Sequence, residues 1–91
     1  MFLEIVTPEE TLYSGNVESV SVPGMEGEFQ MLDNHAPVVS ILTKGKVRIF
    51  GSVELPEGVK DKFTKEDGTT NLKIQGGVLE MKDNKAIVLA D

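Results

Sequence analysis

The stretch NLKIQGGVLEMKDNKAIVLA, Asn71 to Ala90, decides the fold class. NLKIQ alternates apolar and polar residues, Gly76-Gly77 interrupts it, VLEMK runs to Asp83-Asn84, and KAIVLA follows. A period of two puts successive side chains on opposite faces of a strand. Asp and Asn both tolerate positive φ, so Asp83-Asn84 between two such runs is hairpin chemistry. Gly76-Gly77 reads as a bulge or tight bend, since no helix follows whose N-terminus would hold an anion.

The same grammar extends towards the N-terminus. FLEIV places Leu3 and Ile5 on one face with Glu4 opposite, and TPEE closes the strand as a loop, although Thr7-x-x-Glu10 matches a capping box. In NVESVSV, Val20 and Val22 share one face and Ser19 and Ser21 the other. Pro23-Gly24 ends that run, and GEFQML is a short strand. VVSIL, Val38 to Leu42, is apolar on both faces, while GKVRIF turns Val47 and Ile49 inward and Lys46 and Arg48 outward. The charge-rich segment Gly51–Asp67 is expected to be a loop plus an edge hairpin through VKDKFT, Val59 to Thr64, whose Lys and Asp residues discourage pairing with other chains. These runs predict one all-β domain over residues 1–91, an antiparallel β-sandwich of about ten short strands with almost no helix.

Bulk properties narrow the function classes. A chain of 91 residues is near the small end of what folds alone. A net charge of −6 argues against nucleic acid as a partner, because phosphate binding needs a basic stripe. No apolar run approaches the ~18 residues of a membrane span, so direct membrane insertion is not expected. The absence of cysteine rules out disulfides and thiolate metal sites and suits a reducing compartment. MFLEIVTPEE has no basic region ahead of its apolar residues and does not read as a signal peptide.

Chemistry concentrates in GMEGEFQMLDNHAP, Gly24 to Pro37, which carries the one histidine, His35. A hydrolytic triad needs a base, an orienting acid and a nucleophile; Ser40 and Asp33 are present, but no strand–nucleophile–helix turn is. Glu26, Glu28 and Asp33 lack the dense alternating oxygen spacing of a calcium loop. No catalytic group, metal or cofactor is therefore assigned. The two-sided apolar character of VVSIL instead marks a partner surface, since contiguous exposed apolar area usually does.

These residues resemble a known family. LEIVTPEETLYSGNVESVSVPGMEGEFQMLDNHAPVVSILTKGKVRI, Leu3 to Ile49, is similar to the N-terminal β-sandwich of F-type ATP synthase epsilon subunits through LEIVTPE, YSG-x-VE, VPG-x-EGEF, HAP and G-x-VRI. GGVLEMKDNKAIVLAD, Gly76 to Asp91, is similar to the family's Gly-Gly strand, hairpin and closing VLAD. Gly51–Gln75 matches no signature, and the chain stops where many members continue into two C-terminal helices, as a short form or a truncation would.

The resemblance implies a non-catalytic rotor subunit of the central stalk, monomeric when isolated, that links the gamma subunit to the c-ring. It would lie peripherally at the cytoplasmic face of the bacterial inner membrane. Gly27, Glu28 and His35 would face the polar loops of the c-ring, and Val38, Val39 and Ser40 would run on to gamma. A stand-alone module binding protein or carbohydrate is the alternative, though such sandwiches usually present aromatic platforms and this chain has one Tyr and no Trp. A small hydrolase using His35 is a third reading, without an identified nucleophile.

Overall fold

The computed structural model describes residues 1–91. Alternation becomes a run of strands: β1 Phe2–Val6, β2 Thr11–Asn16, β3 Ser19–Gly24, β4 Gly27–Met31, β5 Val38–Leu42 and β6 Gly45–Phe50. A 3-10 turn at Glu57–Lys62 then precedes β7 Phe63–Glu66, β8 Thr69–Ile74, β9 Gly77–Lys82 and β10 Lys85–Ala90. Two half-sheets result, β2-β1-β10-β9-β5 and β4-β3-β6-β8-β7, bonded to each other where Gly24 of β3 pairs with Leu42 of β5.

The inward faces are those the alternation predicts. Leu3, Ile5, Leu79, Met81 and Val88 from one half-sheet join Val20, Val22, Val47 and Ile49 from the other, all essentially fully buried in one hydrophobic cluster. Each such side chain contributes about 1.5–3 kcal/mol relative to exposure. The Asp83-Asn84 hairpin forms with φ of 52° and 59°, the two positive values of a type I′ turn. The pairing is antiparallel throughout except between β1 and β10, which run parallel. These two strands sit at the chain's ends, so no short hairpin constrains their direction.

One local reading is corrected, and two features lie beyond what alternation shows. VKDKFT is a hairpin strand only from Phe63, where edge strand β7 begins its pairing with β8; before it Glu57–Lys62 winds into the 3-10 turn, with Val59 N–H donating to the Pro56 carbonyl at 3.2 Å. A strand would have put Asp61 on the same face as Val59 and Phe63, and burying that carboxylate is far costlier than bending the chain. The turn buries Val59 and leaves Asp61 exposed.

The serine face of β3 is covered rather than open, with Ser19 and Ser21 both 4% exposed. β3 lies inside its half-sheet, where Ser21 has Gln30 and Arg48 as cross-strand neighbours, and Gln30 Nε2 donates to Ser19 Oγ at 2.8 Å. Thr11–Asn16, which no alternation singled out, is a strand because of a bulge. Ile5 pairs with Tyr13 and Val6 with Thr11, so Leu12 is the extra residue and the adjacent Leu12 and Tyr13 are both buried.

On the outside of the second half-sheet, Lys46 Nζ donates to Glu66 Oε1 at 2.9 Å and Asn71 Nδ2 donates to the same oxygen at 3.0 Å. The hydrogen bond and charge of Lys46, then the Asn71 amide, hold the Glu66 carboxyl below its ordinary range. A carboxylate depressed in the folded state stabilises the fold above its unfolded pKa, roughly 4.3, and that contribution is lost as pH falls through the lower folded value. Lys46→Gln is therefore expected to flatten the acid limb of stability. The fall in urea midpoint between about pH 6 and about pH 3 should be smaller than in the parent chain. Equal slopes would show that the ion pair does not couple to folding.

At the bend before β9, Gly77 has φ +157°, and a Cβ there would lie 2.3 Å from the Leu89 carbonyl oxygen. At Gly58, by contrast, a Cβ meets nothing within 4 Å. Gly77→Ala should cost about 1–3 kcal/mol in chemical denaturation, and Gly58→Ala should stay within roughly 0.5 kcal/mol. Comparable costs at the two positions would refute this account of the bend.

Candidate functional site, an open groove between two strand edges

The β3–β4 hairpin turns at Gly24–Gly27, where Gly27 takes φ +122° in a region that disfavours side chains. The turn carries Met25 and Glu26 outward, and Glu28 follows on the exposed face of β4. Arg48 on β6 reaches across β3 to Glu28, with Nε 3.2 Å from Oε2. Facing this hairpin is β5, and an open groove of about 510 Å³ lies between them, lined on the β5 side by Val39, Ser40 and Ile41.

The groove has an apolar wall and an acidic lip. Val39 is 72% exposed and Ile41 62% exposed, with Met25 similarly open at the hairpin tip. The expectation that VVSIL shows apolar side chains to solvent thus matches its geometry. Ile41 also begins a cross-strand row through Val78 and Leu89 to Val6 on the outer face of the first half-sheet. Met25, Ile41 and Leu89 were not among the sequence-derived site residues. The signal for Ile41 lay in VVSIL itself, whereas the exposure of Met25 and Leu89 depends on turn geometry and sheet order.

His35 is elsewhere. It follows the opposite end of β4 from Gly27, and β4 alone spans roughly 13 Å at about 3.3 Å per residue. The structure therefore joins Gly27 and Glu28 to Val39 and Ser40 and does not join them to His35. The His35 loop is held by its own backbone, with His35 N–H donating to the Leu32 carbonyl at 3.2 Å and Asn34 N–H to Asn84 Oδ1 at 2.7 Å. The imidazole Nδ1 lies 2.8 Å from the Ala36 carbonyl, so it carries the proton on that side.

This arrangement offers little for catalysis. The Ser40 hydroxyl donates to the Ile41 carbonyl at 3.4 Å, and Asp33 pairs with the Met1 ammonium at 2.6 Å. Neither residue is hydrogen-bonded to His35, so the base, acid and nucleophile of a triad are not connected. Glu26, Glu28, Asp33 and His35 do not converge as a group of metal-ligating side chains. No helix is long and apolar enough to cross a membrane.

Comparison with known proteins agrees with this picture of a non-catalytic sandwich. The chain is 39% identical over 89 residues to the ATP synthase epsilon chain of Chlorobium limicola, covering 98% of this chain and 86% of that one. It is 38% identical over 89 residues to the ATP synthase epsilon chain of Leptospira borgpetersenii serovar Hardjo-bovis, of which it spans 59%. In fold it is similar to a chain in the central stalk and c-ring structure of the Tetrahymena thermophila mitochondrial ATP synthase. That match has a TM-score of 0.74 at 15% identity, and covers 99% of this chain and 62% of the other. The model of the ATP synthase delta/epsilon chain β-sandwich domain matches residues 1–91 from end to end, and the chain belongs to that family.

Proposed function

We propose that this chain is a non-catalytic subunit of an F-type ATP synthase. It would act in the central stalk, linking the gamma subunit to the c-ring and so coupling proton translocation to ATP synthesis. The observation that carries the reading is the acidic hairpin tip, Glu26 to Glu28, set beside the exposed apolar residues Val39 and Ile41 on one rigid body. Family membership and the c-ring named with the structural relative support it. The subunit is taken to sit peripherally at the cytoplasmic face of a bacterial membrane, in keeping with its bacterial relatives.

Within this reading, Gly27 and Glu28 meet the polar loops of the ring, and Val38, Val39 and Ser40 meet gamma. His35, three residues ahead of Val38, is taken with Gly27 and Glu28 as a ring contact, reached beyond the far end of β4. A stiff element suits the task. Of 51 backbone–backbone hydrogen bonds, 43 lie within strands and helices, so a load applied at one contact reaches the other without loop deformation.

Glu28→Ala and His35→Ala test the contacts. Both side chains are exposed, and the Glu28–Arg48 pair is a surface ion pair worth at most about 1 kcal/mol, so thermal stability should barely change. Assembly with a complex depleted of this subunit, or proton pumping by the reassembled complex, should weaken. Removing a charge that is buried and paired in an interface typically costs ~2–5 kcal/mol. Two variants that assemble and pump like the parent would remove these residues from the contacts, and failure of the parent chain to bind gamma in a pull-down would remove the function itself.

A further inference from the structure

The groove has a second property that the stalk reading does not use. β5 is bonded to β9 along its whole length, but on its other side Leu42 alone has a strand partner, Gly24. Thr43 N–H points to that side, donating to the Pro23 carbonyl at 2.8 Å. Backbone groups alternate along a strand, so the N–H groups of Ile41 and Val39 point the same way, into the groove. Neither has a protein partner there, and the nearby Ile41 carbonyl receives a long bond from Ser40 Oγ at 3.4 Å. Across the groove, β4 is also an edge strand, paired with β3 alone.

Strand edges are normally blunted by charge, proline or cover. The β7 edge carries Lys65 and Glu66, and β4 carries Glu28. β5 is VVSIL, with no charge and no proline, and even its inward residues Val38 and Ser40 are partly exposed. An edge with free donors and exposed β-branched residues is a template for another strand.

We propose that the free edge of β5 receives an extended strand from a partner protein. Its backbone pairs with Val39 and Ile41, its apolar side chains pack beside theirs, and a Lys or Arg meets Glu26, leaving Glu28 with Arg48. The occupant's chemistry follows from what the groove lacks. Unpaired backbone groups call for a strand rather than a helix, and the Glu26 carboxylate on the lip, which no cation of the chain meets, calls for one. The proposal rests on the reading of β5 as a partner contact and specifies its form.

Amide exchange tests it directly. Isotope-labelled chain would be exchanged in D2O alone and after binding to a synthase complex depleted of it, then released and read by NMR. Free, the Val39 and Ile41 amides should exchange fast while Ser40, bonded towards β9, is protected. Bound, Val39 and Ile41 should slow by at least about 100-fold. Val39→Pro removes one edge N–H without touching a β9 bond and should weaken association roughly tenfold, while the exchange result stands on the parent chain if that variant misfolds. Binding that leaves both amides fast would overturn strand addition yet keep the stalk function. Absence of binding would overturn both. Concentration-dependent protection of the same amides in the chain alone would show that the edge pairs with a second copy, contrary to the proposal.

Discussion

The sandwich depends on one crowded corner, where Leu42 pairs with Gly77 on one side and Gly24 on the other. Here β5 passes from one half-sheet to the other, and both neighbours must be small. A Cβ on Gly24 would meet the Phe29 ring at 2.8 Å, and one on Gly77 would meet the Leu89 carbonyl at 2.3 Å. Leu42 itself is buried. Because this one bridge joins the two half-sheets, it fixes how the inward row of β9 and β10 faces that of β3 and β6. It also sets the groove, since β5 leaves β3 immediately beyond Leu42 and opens its edge.

Stiffness and exposure therefore have a common origin. The strands that bury Leu3, Leu79, Val20 and Ile49 on one face must show the other face to water or to a partner. On the second half-sheet the outer face is polar and satisfied, through Lys46, Glu66, Asn71 and the Gln30–Ser19 bond. On the first, the row Ile41, Val78, Leu89, Val6 stays apolar. A domain this small gains little from exposed apolar residues on its own, so the asymmetry belongs to its contacts.

How much was legible from sequence follows from where each signal resides. Alternation is local, so β8 to β10 and the inward residues of β1, β3 and β6 could be read directly. The 3-10 turn at Glu57–Lys62 could not, because VKDKFT fits a strand until the core's refusal of Asp61 is considered. The buried serines of β3 were hidden for a related reason: polarity indicates a preference for water, and only strand order reveals that Gln30 and Arg48 stand on either side. The loop GMEGEFQMLDNHAP reads as one chemical cluster, but β4 runs through its middle and carries Glu28 and His35 apart. Linear proximity misled where a strand intervened.

The two ends of that stretch consequently do different physical work. His35 sits in a loop tied by backbone bonds to Leu32 and by Asn34 to the β9–β10 turn, so its position is fixed by the sheet it leans on. Glu28 is on a strand, held towards Arg48 and beside unpaired backbone. A partner meeting His35 would find a preformed loop whose hydrogen bonds are already made. A partner meeting β5 would find donors still to be satisfied, and in a desolvated interface an unpaired N–H costs about 1–3 kcal/mol. That cost favours a bonded strand over a merely apolar contact at the groove, which is the physical basis of the proposed strand addition at the β5 edge.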